Sequence, residues 1–261
     1  MTILDTFRLD GRVAVVPGGG GAIGSDLAKG LAEAGARVAI VGRSEEAATE
    51  AARKVESAGS EALVALGDMT SEADAERVIA ETVAAFGRVD ILVNAIGGGA
   101  GKVLHAAHEY PRDDWDWIFE LNLRSALLPT QYAVRAMIDA GRGGRILNIS
   151  SVRGQLGIDA GYSAYVAAKG ALDSLTRQEA TEWARHGITV NSISPTFVDT
   201  PQVAMLLDDP VFKSNLVSRI PVGRVGQTAD LIGAVLLFCS DASSFITGQI
   251  LTIDGGLTAT Q

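Results

Sequence analysis

Tyr165 and Lys169 stand four residues apart in Tyr165-Val-Ala-Ala-Lys169, within a stretch of helical apolar period over residues 162–185. On a helix that spacing puts the two side chains on one face, a turn apart. A free phenol titrates near 10 and exchanges protons poorly at neutral pH. Lowering its pKa by ~3 units takes about 4 kcal/mol of phenolate stabilisation, within reach of two partly desolvated cations, of which the ammonium is one. Such a phenol can donate to or accept from a reacting oxygen. Tyr162 is the nearby competitor, but its partner at the same spacing is Val166. The pattern alone is common in helices, so what stands before it matters. Ser150 and Ser151 close the apolar run 145–149, and Ser151 lies fourteen residues ahead of Tyr165. A hydroxyl there can orient a carbonyl and stabilise charge building on its oxygen.

Elements must hold these groups. Short, nearly continuous apolar runs at 13–16, 37–41, 62–66, 90–93, 145–149, 188–193 and 249–253 read as strands covered on both faces. Helical periods at 23–34, 45–58, 71–86, 113–140, 162–185 and 228–238 alternate with them. Strand–helix–strand repetition predicts an α/β fold, a single Rossmann-like doubly wound parallel sheet of about seven strands. No linker interrupts residues 1–261, so one dinucleotide-binding and catalytic domain is expected. The segment 199–222 mixes Pro201, Pro210 and Pro221 with Met205, Leu206 and Leu207. It reads either as a helical substrate lid or as an ordinary surface excursion.

Between the first run and the first helix lies Pro17-Gly-Gly-Gly-Gly-Ala-Ile-Gly24. Gly18, Gly20, Gly21 and Gly24 let the backbone approach a pyrophosphate, and the helix start around Ala22 and Ile23 offers N–H donors. The spacing Gly18-x-x-x-Ala22-Ile23-Gly24 resembles the glycine motif of the short-chain dehydrogenase/reductase family, and the likeness runs from Gly11 to Gly256. Pro17 replaces the family's usual Thr, removing a hydroxyl and an N–H, and Ala22 replaces the commoner Gly. The second strand ends Val-Gly42-Arg43-Ser44, without the acid that would bind the ribose hydroxyls of NAD. Arg43 and Ser44 resemble the family's NADP pattern, in which a guanidinium pairs with the 2′-phosphate. NADP is therefore expected, with NAD as the alternative. The resemblance also assigns Asp68 and Met69 to the adenine side, Asn94 and Ala95 to an altered form of the family's Asn-Asn-Ala-Gly segment, and Pro195, Val198 and Thr200 to the nicotinamide side.

The family resemblance implies the chemistry as well. Alignment on the strand end and the following Ser-Val-x-Gly selects Ser151 over Ser150, and adds Asn122, in Ile-Phe-Glu-Leu-Asn122, as a fourth catalytic residue. In the family that asparagine perturbs its helix and holds a water linking the lysine to solvent. Tyr165 is then the general acid/base while hydride passes between the nicotinamide and a ketone/secondary alcohol. The chain looks like 3-oxoacyl-thioester reductases; a sugar or polyol dehydrogenase, or a cofactor-binding sensor without turnover, are the alternatives. Arg153, Gln155, Tyr162, His105 and the 199–215 segment are candidate substrate contacts, and Arg153 either receives a substrate anion or pairs with a surface acid. The family also implies a homotetramer or homodimer.

Bulk properties bound the rest. With 22 basic against 31 acidic residues the net charge is -9, so nucleic acid is not an expected partner. Cys239 is the single cysteine, and the histidines lack metal-ligand spacing, so no catalytic metal is expected. The first residues do not resemble a secretory signal, and no uncharged stretch reaches the ~20 residues of a membrane helix. A cytoplasmic protein is the expectation.

Overall fold

Strands β1 (Val13–Pro17), β4 (Ile91–Asn94), β5 (Gly144–Ile149) and β6 (Ile188–Pro195) are buried along their entire lengths. In the computed structural model, which describes residues 2–99, 101 and 103–259, this follows from helices on both faces of one parallel sheet. With β2 (Arg37–Gly42), β3 (Ala62–Leu66) and β7 (Ile250–Ile253) the order is β3-β2-β1-β4-β5-β6-β7. Alternation along the strands feeds two cores. Ala14, Val16, Val38 and Ile40 pack with α1 (Ala22–Glu33), α2 (Glu45–Ser57) and α9 (Ala229–Cys239). Val15, Ala39, Val41 and Leu92 pack with α3 (Glu72–Phe86) and with α5 (Ser125–Ala140), and Ala180 of α6 (Ser163–Trp183) joins the same layer.

Local chemistry sets the boundaries. Ser44 and Ser71 cap α2 and α3 by accepting from the backbone N–H groups of Ala47 and Asp74. Gly87, at φ 78°, ends α3 in a left-handed conformation that costs glycine little. The expected single helix over 113–140 is broken into α4 (Arg112–Phe119), a π-helical turn (Glu120–Arg124) and α5. Two causes are visible. The Asn122 amide donates to the Ile118 carbonyl at 3.0 Å, and Pro129 can supply no N–H to the preceding turn. Within 199–222 lie two short helices, α7 (Ala204–Leu207) and α8 (Pro210–Val217), packed through Leu207, Leu216 and Ile220 in a small cluster of their own.

Strand order reverses between β1 and β4. In such sheets the crevice at the carboxyl ends of these strands is where ligands bind. The glycine turn, the loop after Asn94, Ser151 and the Thr196–Thr200 stretch all emerge at those ends.

Candidate active site

Ser151 leaves β5 in extended conformation and its hydroxyl accepts from the Arg153 N–H at 3.1 Å, opening a short 3-10 turn. Tyr165 and Lys169 project from the first two turns of α6, whose residues 164 and 168 are fully buried against α4. The Ser151 hydroxyl lies against the Tyr165 phenol and holds its pKa down, as does the Arg153 guanidinium, but burial is the larger effect and pushes the phenol above its ordinary value. Among the chain's own residues, therefore, the expected lowering by Lys169 does not occur. The ammonium sits 5.8 Å from the centre of the Tyr165 ring and donates to the Ile149 carbonyl at 2.9 Å. Lys169 is itself buried, and desolvation brings it from 10.5 down to about 8 against the opposing field of Asp173.

Asn122, fully buried on the π turn, is tied to the loop after β4: its Oδ1 accepts from the Gly98 N–H at 2.8 Å and its amide donates to the Gly98 carbonyl at 3.0 Å. A Cβ on Gly97 would come within 2.9 Å of Lys169 Nζ and 3.0 Å of Asn122 Oδ1. Gly97 thus leaves the lysine and asparagine facing one small space. All four predicted catalytic residues converge here. Ser150 instead bonds the Lys169 carbonyl at 3.4 Å and the β6 backbone, a strand-end role.

The glycine turn is tight. A Cβ on Gly18 would meet the Ala95 carbonyl at 2.7 Å, and one on Gly24 would overlap the Gly18 carbonyl. Gly21 caps α1 without a side chain, leaving the first-turn N–H groups around Ala22, Ile23 and Gly24 free of any side-chain cap. Gly20 lies against Ala47 of α2. Ala22 is exposed, so its methyl points outward and does not obstruct the turn. Pro17 pairs opposite Val41 and its carbonyl accepts from Ala95 N–H. At the end of β2, space around Gly42 is open, and Arg43 reaches Asp68 at 3.6 Å with 75% of its side chain exposed. Bonds from Thr70, together with Arg43, hold the Asp68 carboxyl below its usual range, while Met69 is buried. This cradle of close-packed glycines, open N–H donors and an exposed guanidinium matches what a phosphorylated dinucleotide requires.

Other predicted residues take plainer places. Asn94 donates to Thr130 and to Asn148 at 2.8 Å, bracing β4 against its neighbours. Pro195 ends β6, Val198 bridges to Gly226, and Thr200 is buried with its carbonyl accepting from Val203. Tyr162 precedes α6 with its ring edge-on to Tyr165, the centres 6.5 Å apart, whereas Gln155 is exposed. His105 is held by Asp114 at 2.6 Å and edges onto Tyr110, a pairing that already occupies its ring. Arg153 is half-buried and its Nη1 donates to the Gly157 carbonyl; among the described residues no carboxylate pairs with it. Sequence reasoning put 199–215 at the pocket without singling out Gln202, whose side chain lies over Gly98, and missed Arg219, whose like charge helps lower the Arg153 pKa. Both come from 199–222, and no local pattern announces either contact. No helix among the described residues is long and apolar enough to cross a membrane.

Residues 20–258 match the family model described as enoyl-(acyl carrier protein) reductase. The chain is 38% identical over 254 residues to the gluconate 5-dehydrogenase of Gluconobacter oxydans (strain 621H), covering 97% of each chain. It is 38% identical over 248 residues to the cis-4-hydroxycyclohexanecarboxylate dehydrogenase of Sinomonas cyclohexanicum, covering 95% of this chain and 97% of that one. Among solved structures, a gluconate 5-dehydrogenase from Burkholderia cenocepacia J2315 in complex with NADP and tartrate superposes with a TM-score of 0.91 at 39% identity, covering 100% of both chains. Fold, site and relatives agree: the chain belongs to the short-chain dehydrogenase/reductase family and is an oxidoreductase acting on a CH–OH/C=O pair.

Proposed function

We propose that this enzyme interconverts the secondary alcohol and ketone of a hydroxy acid of sugar-acid type, with NADP as the partner. The observation that carries the reading is the convergence of Ser151, Tyr165, Lys169 and Asn122 at the carboxyl ends of the strands beside the glycine cradle. When bound, the nicotinamide supplies or accepts the hydride. Gly18–Gly24 and the first turn of α1 would hold the pyrophosphate, Arg43 and Ser44 the 2′-phosphate, Asp68 and Met69 the adenine side, and Pro195, Val198 and Thr200 the carboxamide side.

Tyr165 gives its hydroxyl proton to the carbonyl oxygen in reduction and takes it back in oxidation. Ser151 donates to the same oxygen, steadying the charge that accumulates there. Lys169, near neutrality at about 8, carries a proton readily and can resupply the phenolate. Asn122 fixes the Gly97–Gly98 backbone beside the ammonium. Three of the relatives named above carry an acid in their printed substrate or complex, which favours the sugar dehydrogenase alternative over a 3-oxoacyl thioester. The family resemblance supports a cytoplasmic homotetramer or homodimer assembled through its long helices, including α6, and a substrate lid at 199–222.

Absorbance at 340 nm with D-gluconate, other hydroxy acids, polyols and 3-oxoacyl thioesters, each with NADP(H) and NAD(H), tests this. Turnover of hydroxy acids with at least a tenfold preference for NADP in kcat/KM is expected. Turnover confined to thioesters, or comparable use of NAD, contradicts it.

A further inference from the structure

Three consecutive glycines after β4 are each pressed against a different side chain. A Cβ on Gly97 would meet Lys169 Nζ at 2.9 Å, one on Gly98 would overlap the Gln202 amide nitrogen, and one on Gly99 would meet the Trp117 ring at 2.7 Å. Gln202 reaches this ribbon from the 199–222 insertion. It is the third residue of a turn closed by the Val203 N–H on the Thr200 carbonyl at 3.0 Å, with Pro201 fixing the second position. Both polar groups of the Gly98 backbone are spent on Asn122. The Gln202 amide therefore packs on Gly98 without bonding to it, and among the described residues it has no hydrogen-bond partner. Two donors and an acceptor are left unspent one residue along the backbone from the Lys169 and Asn122 contact. A hydroxyl, which both donates and accepts, suits such a group. Closing a ligand over an amide that it cannot pair costs more than the missing bond, because the amide also gives up water.

We infer that Gln202 is a specificity-determining residue: seated on Gly98, its amide pairs with a second hydroxyl of the substrate while Ser151 and Tyr165 hold the reacting one. This rests on the hydroxy-acid reading above and narrows it to acids hydroxylated at more than one carbon. Gly98 serves the seat. Its φ of 113° strains any other residue, and a Cβ there would push the amide, and the insertion with it, off the catalytic loop. The insertion and the loop thus meet where an α-carbon supports an amide and no backbone group competes for its hydrogen bonds.

Calorimetric titration of the NADP-loaded enzyme with tartrate and with malate of matched configuration tests the site, since the two diacids differ by one hydroxyl. The parent should bind tartrate at least fivefold more tightly than malate. Gln202→Met keeps the length of an exposed side chain and its packing on Gly98 but removes the amide. It should bring tartrate to within twofold of malate, with malate and NADPH affinities each within twofold of the parent. A merely structural role would weaken both acids together and keep their ratio. No tartrate binding by the parent, equal affinities in the parent, or a ratio unchanged in Gln202→Met overturns the inference. D-gluconate turnover separates the two claims. Equal binding of tartrate and malate by an enzyme that oxidises D-gluconate removes the role of Gln202 and leaves the proposed function; a Gln202-dependent preference for tartrate in an enzyme that oxidises no hydroxy acid removes the function and leaves the site.

Discussion

Lys169→Met should make the protein inactive and more stable. The lysine is buried, and the distance from 10.5 to about 8 corresponds to about 3 kcal/mol spent at pH 7 on holding a charged amine in the fold. Methionine has a similar length and no charge. It forfeits the charge-assisted bond to the Ile149 carbonyl, worth about 2 kcal/mol, for a net gain of about 1 kcal/mol. In a chain this long that raises Tm by roughly 2 °C. The pH dependence is the sharper test. The folded amine titrates below the unfolded one, so the unfolded chain binds the extra proton between about 8 and 10.5. The penalty is complete below about 8 and disappears above 10.5, so the stability difference should move by roughly 2 kcal/mol against the variant between pH 7 and pH 10. Urea denaturation followed by tryptophan fluorescence, without cofactor and at matched protomer concentration, measures both. A variant less stable than its parent at pH 7, or a gap that does not change with pH, refutes the reasoning.

Three further outcomes follow from the geometry. Arg43→Ala removes a charge-assisted contact to the 2′-phosphate and should lower kcat/KM for NADP about 10–30-fold, with NAD changed less than threefold, in steady-state assays. Gly24→Ala places a methyl into the Gly18 carbonyl, so NADPH fluorescence titration should show at least tenfold weaker binding and urea curves a loss of about 2 kcal/mol or more. Asn122→Leu strands the Gly98 N–H and carbonyl, and chemical denaturation should record a loss of about 2–4 kcal/mol alongside a fall in kcat.

The sheet was legible because strands buried on both faces must read as unbroken apolar runs, as Val13–Pro17 does. Helix starts at Ser44 and Ser71 follow from hydroxyls that can accept a first-turn N–H. The π turn was not legible as a boundary. Its cause is partly tertiary: Asn122 answers to Gly98, twenty-four residues away, as well as to Ile118. The catalytic pair was legible from helical spacing, since position i+4 fixes a shared face. Its electrostatics were not, because burial of Tyr165 and Lys169 depends on packing by α4 and the sheet. Arg219 and Gln202 escaped for the same reason: a residue on an insertion acquires meaning from what it folds over.

The central claim is that the Tyr165 hydroxyl exchanges the proton as hydride crosses. Tyr165→Phe removes that oxygen alone. Rapid mixing of the variant with NADPH and a ketone substrate, followed at 340 nm, should show cofactor binding within threefold of the parent and hydride transfer slowed by about 10²–10⁴. Transfer within tenfold of the parent would contradict the account.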